Sequence, residues 1–463
     1  MSRHSSLLRQ TLTYSQKEAV ASATMTATGD NFFNAFAVYL QASTMQMGWL
    51  TAFPQLLGAA MQLLSVWISA WFPCRQLVTV VAVFQAVVVL LIAMLAVFHP
   101  GNAMILLIVL AVLYHSAMNL IQPQWRAWMG SLVPKRRRGL FFASRTRLTM
   151  GTSLAVFIGG GALLYAGEKL QVPWLGFTIL FGVAACGRLL SSRFLWLMHD
   201  PAPHHTLEGQ GVFIATLKEI RKALHDDVFR HYSFFVAGMQ GMVAISAPFF
   251  AVYMLKELDF NYFQFSLNSV ASIATQFLSL KFWGRLSDRY GNRLVMLSCS
   301  SMIPVIPALW LVSPDFYYLF LLQMLSGLFW SGFTLSTANY LYDIRPHRTN
   351  FATYAAAQSG IGAIMVFIGA AAGGLLASHA DSLRALLPFT LSSSLFIVFL
   401  TSGIMRALVL LWFIPRAVEP HIRPRPRLLQ IIYRVSRFNP ISGVVLDWLT
   451  VTERKPRDQP PEE

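Results

Sequence analysis

The chain has 463 residues, 55% hydrophobic and only 12% charged, with a mean hydropathy of +0.53. A soluble domain carries about 25% charged residues, so an ordinary soluble fold is excluded. The formal net charge of +16 would suit nucleic acid, but the Lys and Arg residues gather in short loops between apolar runs, the pattern of loops retained on the cytoplasmic side of a membrane.

A bilayer core takes about 20 apolar residues as a helix. Segments of that kind occur near 18–41, 47–72, 76–98, 103–132, 142–166, 174–198, 230–255, 262–283, 293–312, 316–342, 350–378 and 386–415. They are long and continuous, whereas barrel strands run about ten residues with alternating polarity. The fold class expected is therefore all-α, a membrane protein of twelve transmembrane helices. With the N-terminus inside, the outer loops hold only Lys169, Lys256 and Arg384, while the inner loops collect Lys135 to Arg138, Lys218, Arg221, Lys222, the Arg285 to Arg293 turn, Arg345 and Arg348. Both termini are expected to be cytoplasmic. The 17-residue polar lead lacks the short apolar region and small-residue cleavage site of a signal peptide. Three cysteines, Cys74, Cys186 and Cys299, support neither a disulfide framework nor a CxxC metal site, and no cofactor is expected.

The expected organisation is a cytoplasmic segment 1–17, a six-helix bundle 18–198, a linker 199–229, a second bundle 230–415 and a basic tail 416–463. Within the linker, Phe213, Leu217 and Ile220 alternate with Lys218, Arg221 and Lys222 as in an amphipathic surface helix. In the tail, Arg427 to Arg437 reads as a basic amphipathic stretch suited to anionic lipids.

The halves repeat in parallel. Phe36-Ala37-Val38-Tyr39 recurs as Phe250-Ala251-Val252-Tyr253, Gln62 and Leu64-Ser65 as Gln276 and Leu278-Ser279, and Val156-Phe157-Ile158-Gly159 as Val366-Phe367-Ile368-Gly369. Each match joins one span to the span six later, as expected of two halves related by an axis along the membrane normal. Between the eighth and ninth spans stands Gly284-Arg285-Leu286-Ser287-Asp288-Arg289-Tyr290-Gly291-Asn292-Arg293. With this loop, the repeat and twelve spans, the chain resembles the major facilitator superfamily over essentially its whole length. The first-half copy of the loop is degenerate, Cys74 standing opposite Asp288. Pro134 to Gly139 is similar to the pattern after the fourth helix. Gly159-Gly160-Gly161 matches part of the fifth-helix antiporter motif without its Gly-Pro step.

Ionisable residues inside a span are functional candidates, because a charge in hydrocarbon costs at least about 2.5 kcal/mol. Asp30 lies mid-depth in the first span, and at 100° per residue it shares a face with Thr26 and Asn34. It reads either as a carboxylate that takes up and releases a proton or as a structural acid paired with an Arg. On the fourth span His115, Asn119, Gln122 and Arg126 fall within about 60° of one another. Arg126 reads equally as a ligand for an anionic group and as an interfacial Arg beside Trp125 and Trp128. The resemblance implies that the first, fourth, seventh and tenth helices line a cavity, adding Gln240, Ser246, Gln323, Ser326 and Thr334. Arg188 and Arg406 read as snorkelling residues of the sixth and twelfth spans, and Gly369 and Gly373 as packing sites. For the cytoplasmic gate, Gly284 should permit close helix approach, Gly291 the tight turn, and Asp288, flanked by Arg289 and Arg293, should meet the start of the fifth span near Arg138, Arg145 and Arg147.

The resemblance implies a bacterial inner-membrane secondary transporter working by alternating access, with proton coupling through Asp30. Its partners would be a small-molecule substrate, protons and lipids but no nucleic acid, and the chain would be a monomer. The alternatives are a multidrug exporter or uncoupled facilitator of the same fold, or a non-transporting scaffold. No P-loop pattern points to an ATP-driven pump. An enzyme would need clustered ligands beyond the linker pair His204-His205, and a channel a ring of like charges.

Overall fold

The computed structural model describes residues 2–68, 71–133, 138–200, 218, 221–222, 224–344, 351–385 and 391–417. The linker helix around 213–222 lies almost wholly outside these residues and the tail stretch Arg427 to Arg437 entirely so. The side chains of Asp30, Asn31 and Arg138 are likewise outside them, although their backbone is helical.

Among the described residues twelve principal helices carry the fold. In the first half they are α1 (Ser2–Tyr39), α2 (Thr44–Ile68), α3 (Cys74–Phe98), α4 (Ala103–Leu132), α5 (Arg138–Lys169) and α6 (Pro173–Leu197). The second half has α7 (Asp227–Val252), α8 (Tyr262–Tyr290), α9 (Asn292–Met302), α10 (Phe316–Ile344), α11 (Phe351–Ser378) and α12 (Leu395–Phe413). Nine are long and apolar enough to cross a membrane among the described residues, α9 only together with the following Val305–Leu309; α1, α2 and α8 complete the twelve. Local chemistry sets several ends. Asp226 caps α7 by accepting from the Phe229 amide, and Asn261 with Gln264 forms a reciprocal capping box on α8. Gly291, at φ 93°, ends α8 and opens α9, a conformation costly for any residue with a Cβ. Pro304 breaks the ninth span, which resumes as the short turn Val305–Leu309.

The expected start of the first span at residue 18 is not a boundary of secondary structure. α1 is continuous for 38 residues, about 57 Å at 1.5 Å per residue. Its polar first turns hold because they pack: Tyr14 stacks on Phe194, Thr11 accepts from the His199 amide, and Ser15 is fully buried.

The repeat seen in the sequence is a repeat of packing. Phe36 and Tyr39 of α1 meet Phe177 of α6 at ring separations of 5.0 and 5.1 Å. Their counterparts Phe250 and Tyr253 meet Phe399 and Phe396 of α12 at 4.4 and 5.4 Å. The helix pairs α2/α4 and α8/α10, α1/α6 and α7/α12, and α1/α5 and α7/α11 correspond in the same way.

Odd helices begin, and even helices end, at one face, which carries Arg75, Arg145, Arg193, Arg230, Lys281 and Arg289; we call it the basic face. Across it, among the described residues, the two halves keep separate apolar cores, one around Val78, Trp128 and Leu195 and one around Phe235, Trp283 and Tyr340. Near the opposite face a single core runs through both halves, from Phe33, Phe36 and Phe177 to Phe249, Trp310 and Phe399.

Candidate transport cavity

The halves meet through α2 against α11 and α5 against α8, equivalent pairs under the repeat. Near the opposite face, small residues let these backbones touch. A Cβ on Gly48 would lie 2.7 Å from the Ala370 carbonyl oxygen, and one on Gly161 would overlap Ser266 Oγ. Phe53 of α2 packs on Phe367 of α11 at 5.7 Å, and Lys256 Nζ donates to the Ala42 carbonyl at 3.4 Å.

Among the described residues, three cavities with polar groups in their walls follow from this arrangement. The largest, about 470 Å³, is lined by Asn34 of α1, Gln55 of α2 and His115, Asn119 and Gln122 of α4, among others. A second, about 270 Å³, shares Gln55 and Asn119 and crosses to Gln240 of α7 and Gln358 of α11. A third, about 250 Å³, shares Met118 and Gln122 with the first and extends into the first bundle to Glu18, Arg126, Arg145 and Arg188. The fourth-span stripe thus forms one wall, as its 3.6-residue period predicts. Asn34, His115, Asn119 and Gln122 come together, Arg126 stands next to them and Gln240 opposite. Gln323 lines none of the three. Ser246 is turned away: it is fully buried, accepts a bond from Arg406 Nη2 at 2.7 Å and bonds Ser402. Ser326 is also buried, whereas Thr334 is exposed. The amides of α2 and α11 were not singled out by the sequence reading, although Gln62, which lines the second cavity, belongs to the repeat.

Asp30 sits on α1 one residue after Gly29, where a Cβ would come 2.7 Å from Tyr114 Oη; glycine is what lets α1 close on α4 at this depth. A second carboxylate, which nothing in its local sequence marks, lies twelve residues earlier on the same helix. Glu18, 3% exposed, pairs with Arg145 at 2.6 Å and accepts from Ser191 Oγ at 3.1 Å. Arg145 also donates to the Ser15 carbonyl and lies 4.1 Å over the Trp125 ring. Arg188 donates to Ser22 at 3.2 Å and Ser191 at 3.1 Å. Arg188 and Arg406 do not snorkel: they are 4% and 3% exposed and point into their bundles, because the rotation of α6 and α12 faces them to α1 and α7.

At the basic face Gly284 has nothing nearer than Leu335 Cδ2 at 3.9 Å for an added Cβ, so the close approach expected of it is absent in this conformation. Asp288 and Arg289 are exposed in the last turn of α8, and Arg293 Nε donates to the Ala417 carbonyl at 3.0 Å. Asn292 Nδ2 donates to Asp343 at 2.6 Å, tying this loop to α10. Arg145, one of the arginines expected to meet Asp288, is held by Glu18 instead; Arg147 is exposed. Gly369 and Gly373 are packing sites as expected, where an added Cβ would overlap the carbonyl oxygens of Gly241 and Ile245.

The family model described as Major Facilitator Superfamily matches residues 233–452. The whole fold matches solved transporters. A bacterial homologue of the iron transporter ferroportin, in an inward-facing state, superposes with a TM-score of 0.66 at 15% identity, covering 89% of this chain and 100% of that one. The nucleoside transporter NupG, in a point-mutant form, gives 0.65 at 14% identity, covering 89% and 99%. The xylose transporter XylE from E. coli, partially occluded and inward open, gives 0.62 at 11%, covering 88% and 97%. The second half thus matches that superfamily's sequence model, and the chain as a whole has the fold of these transporters. No curated protein matches the sequence. Among the described residues nine spans are long and apolar enough to cross a membrane, and the space between the two bundles is the candidate site.

Proposed function

We propose that the chain moves a small polar solute across the membrane by alternating access. What carries this reading is the contrast between the faces: one apolar core joins both halves at the opposite face, and two separate cores stand at the basic face. Rocking the bundles about the α2/α11 and α5/α8 contacts would exchange these arrangements around a fixed site. Short loops rich in Lys and Arg are retained inside, so the basic face is the cytoplasmic one and the conformation described is inward-open. The amide-lined cavities of Gln55, Gln62, Asn119, Gln240 and Gln358 suit a solute that offers several hydroxyl or amino groups. Structural neighbours include transporters of nucleosides and of xylose, one described as a D-xylose-proton symporter, which agrees with such a solute.

Proton coupling would run through α1, where Asp30 stands at mid-depth beside the cavity wall. The test is counterflow in proteoliposomes, with substrate first identified by ligand-induced thermal stabilisation. Asp30→Asn should retain counterflow but lose uphill accumulation driven by a proton gradient. Accumulation equal to wild type would remove Asp30 from coupling. No counterflow with any stabilising ligand would favour a non-transporting scaffold.

A further inference from the structure

We propose that the cavity inside the first bundle binds the acidic group of a small organic anion, which deepens the transport reading by naming the substrate class. The cavity is lined by α1, α3, α4, α5 and α6 and holds three guanidinium groups, Arg126, Arg145 and Arg188, against one carboxylate, Glu18. Glu18 is committed to Arg145 and Ser191. Arg126 makes no hydrogen bond or ion pair with any described residue, and it lies on the wall nearest the larger cavity, beside Gln122. The cluster therefore carries a net charge of two positive units, with Arg126 on its exposed side and Arg188 buried behind it.

Two further atoms point at a ligand. Arg188 Nε and Gln85 Oε1 are buried without a partner, and both residues line this cavity. Gln85 is fully buried, its Nε2 is spent on the Tyr114 carbonyl at 3.0 Å, and its free oxygen can only accept. A donor at Arg188 and an acceptor at Gln85 fit a ligand with an anionic group next to a hydroxyl or amino group. Most buried polar atoms in folded proteins have a partner, and these two differ from Arg406 Nε, also unpartnered, in that both residues line one cavity. The volume, about 250 Å³, takes the acidic end of such a molecule, while the shared residues Met118 and Gln122 open onto the amide-lined space for its body. Guanidinium groups suit carboxylate and phosphate alike, because their paired N–H donors match paired oxygens.

The test is thermal stabilisation of the purified full-length protein by lactate, succinate, gluconate and inorganic phosphate at constant ionic strength, with lactamide and glucose as neutral counterparts. At least one anion should raise Tm saturably while its neutral counterpart does not, the carboxylate and phosphate arms telling the two chemistries apart. Arg126→Gln, at an exposed position that leaves the buried pairs intact, should weaken that anion by about tenfold, the loss of one charge-assisted bond; Arg188→Gln should abolish the effect if it folds. If no anion exceeds the chloride control, or if Arg126→Gln binds as wild type, the proposal is overturned. Counterflow with the stabilising anion separates the two readings. Binding without counterflow keeps the anion site and removes transport; counterflow of a neutral solute without anion binding does the reverse.

Discussion

Glu18 shows how one residue can organise a bundle. It joins α1 to α5 through Arg145 and to α6 through Ser191, beside Arg188. Removing one member of a buried pair leaves the other desolvated and uncompensated, at a cost of about 3–5 kcal/mol. Glu18→Ala should therefore lower Tm clearly, and the double variant Glu18→Ala with Arg145→Ala should recover part of the loss, because the stranded charge is gone. Equal losses in the single and double variants would show that Arg145 left without Glu18 carries no such penalty. Nothing in the local sequence marks Glu18: it follows a polar run and reads as the edge of the membrane. Asp30 was legible because a carboxylate in an apolar run is conspicuous, whereas the weight of Glu18 depends on Arg145 and Arg188, which lie 127 and 170 positions away.

At the scale of elements, α7 and α11 approach as closely as two backbones allow. A methyl group at Gly369 would overlap the Gly241 oxygen, a backbone atom that cannot swing aside. Gly369→Ala should separate the helices and cost about 1–3 kcal/mol, the usual penalty of overpacking. Gly182, on α6, has open space around an added Cβ, and Gly182→Ala should leave Tm unchanged or raise it by helix propensity. A comparison of melting curves in detergent checks both, and equal effects would show that α7 and α11 are not held at this contact. The helices themselves could be read from their apolar runs, and the fourth-span stripe from its period. Which face of α6 and α12 turned inward could not, because hydropathy is the same for an Arg that snorkels and for one that points into its own bundle.

For the whole molecule, the opposite face is sealed by contacts that exist only between halves. A larger side chain at Gly161 would collide with Ser266 and the Tyr262 carbonyl, and under the proposed alternating access a penalty of about 1–3 kcal/mol on this conformation would shift the population towards the other state by roughly 5- to 150-fold. Gly161→Leu should accordingly raise the labelling of Gln55→Cys by an impermeant thiol reagent applied from the opposite face, with Cys74, Cys186 and Cys299 replaced by serine. Unchanged labelling would mean that the α5/α8 contact is not the seal. Asp288→Asn is expected to act in the other sense, holding the basic face open, if Asp288 secures the start of α5 when that face closes; cytoplasmic accessibility equal to wild type would exclude such a latch.

The sequence by itself determined the class and the plan: twelve apolar runs, a half-chain repeat, a charge bias between faces and the α8–α9 loop each follow from composition or spacing along one chain. Tertiary structure alone decided which polar groups meet. The amides of α2 and α11 join the cavity, Ser246 leaves it for Arg406, and Glu18 enters a cluster with three arginines. The reason is geometric: local periodicity sets the faces of a helix, but the rotation and tilt that bring a face against a partner are set by close contacts such as Gly48 against Ala370 and Gly161 against Ser266, between residues hundreds or scores of positions apart.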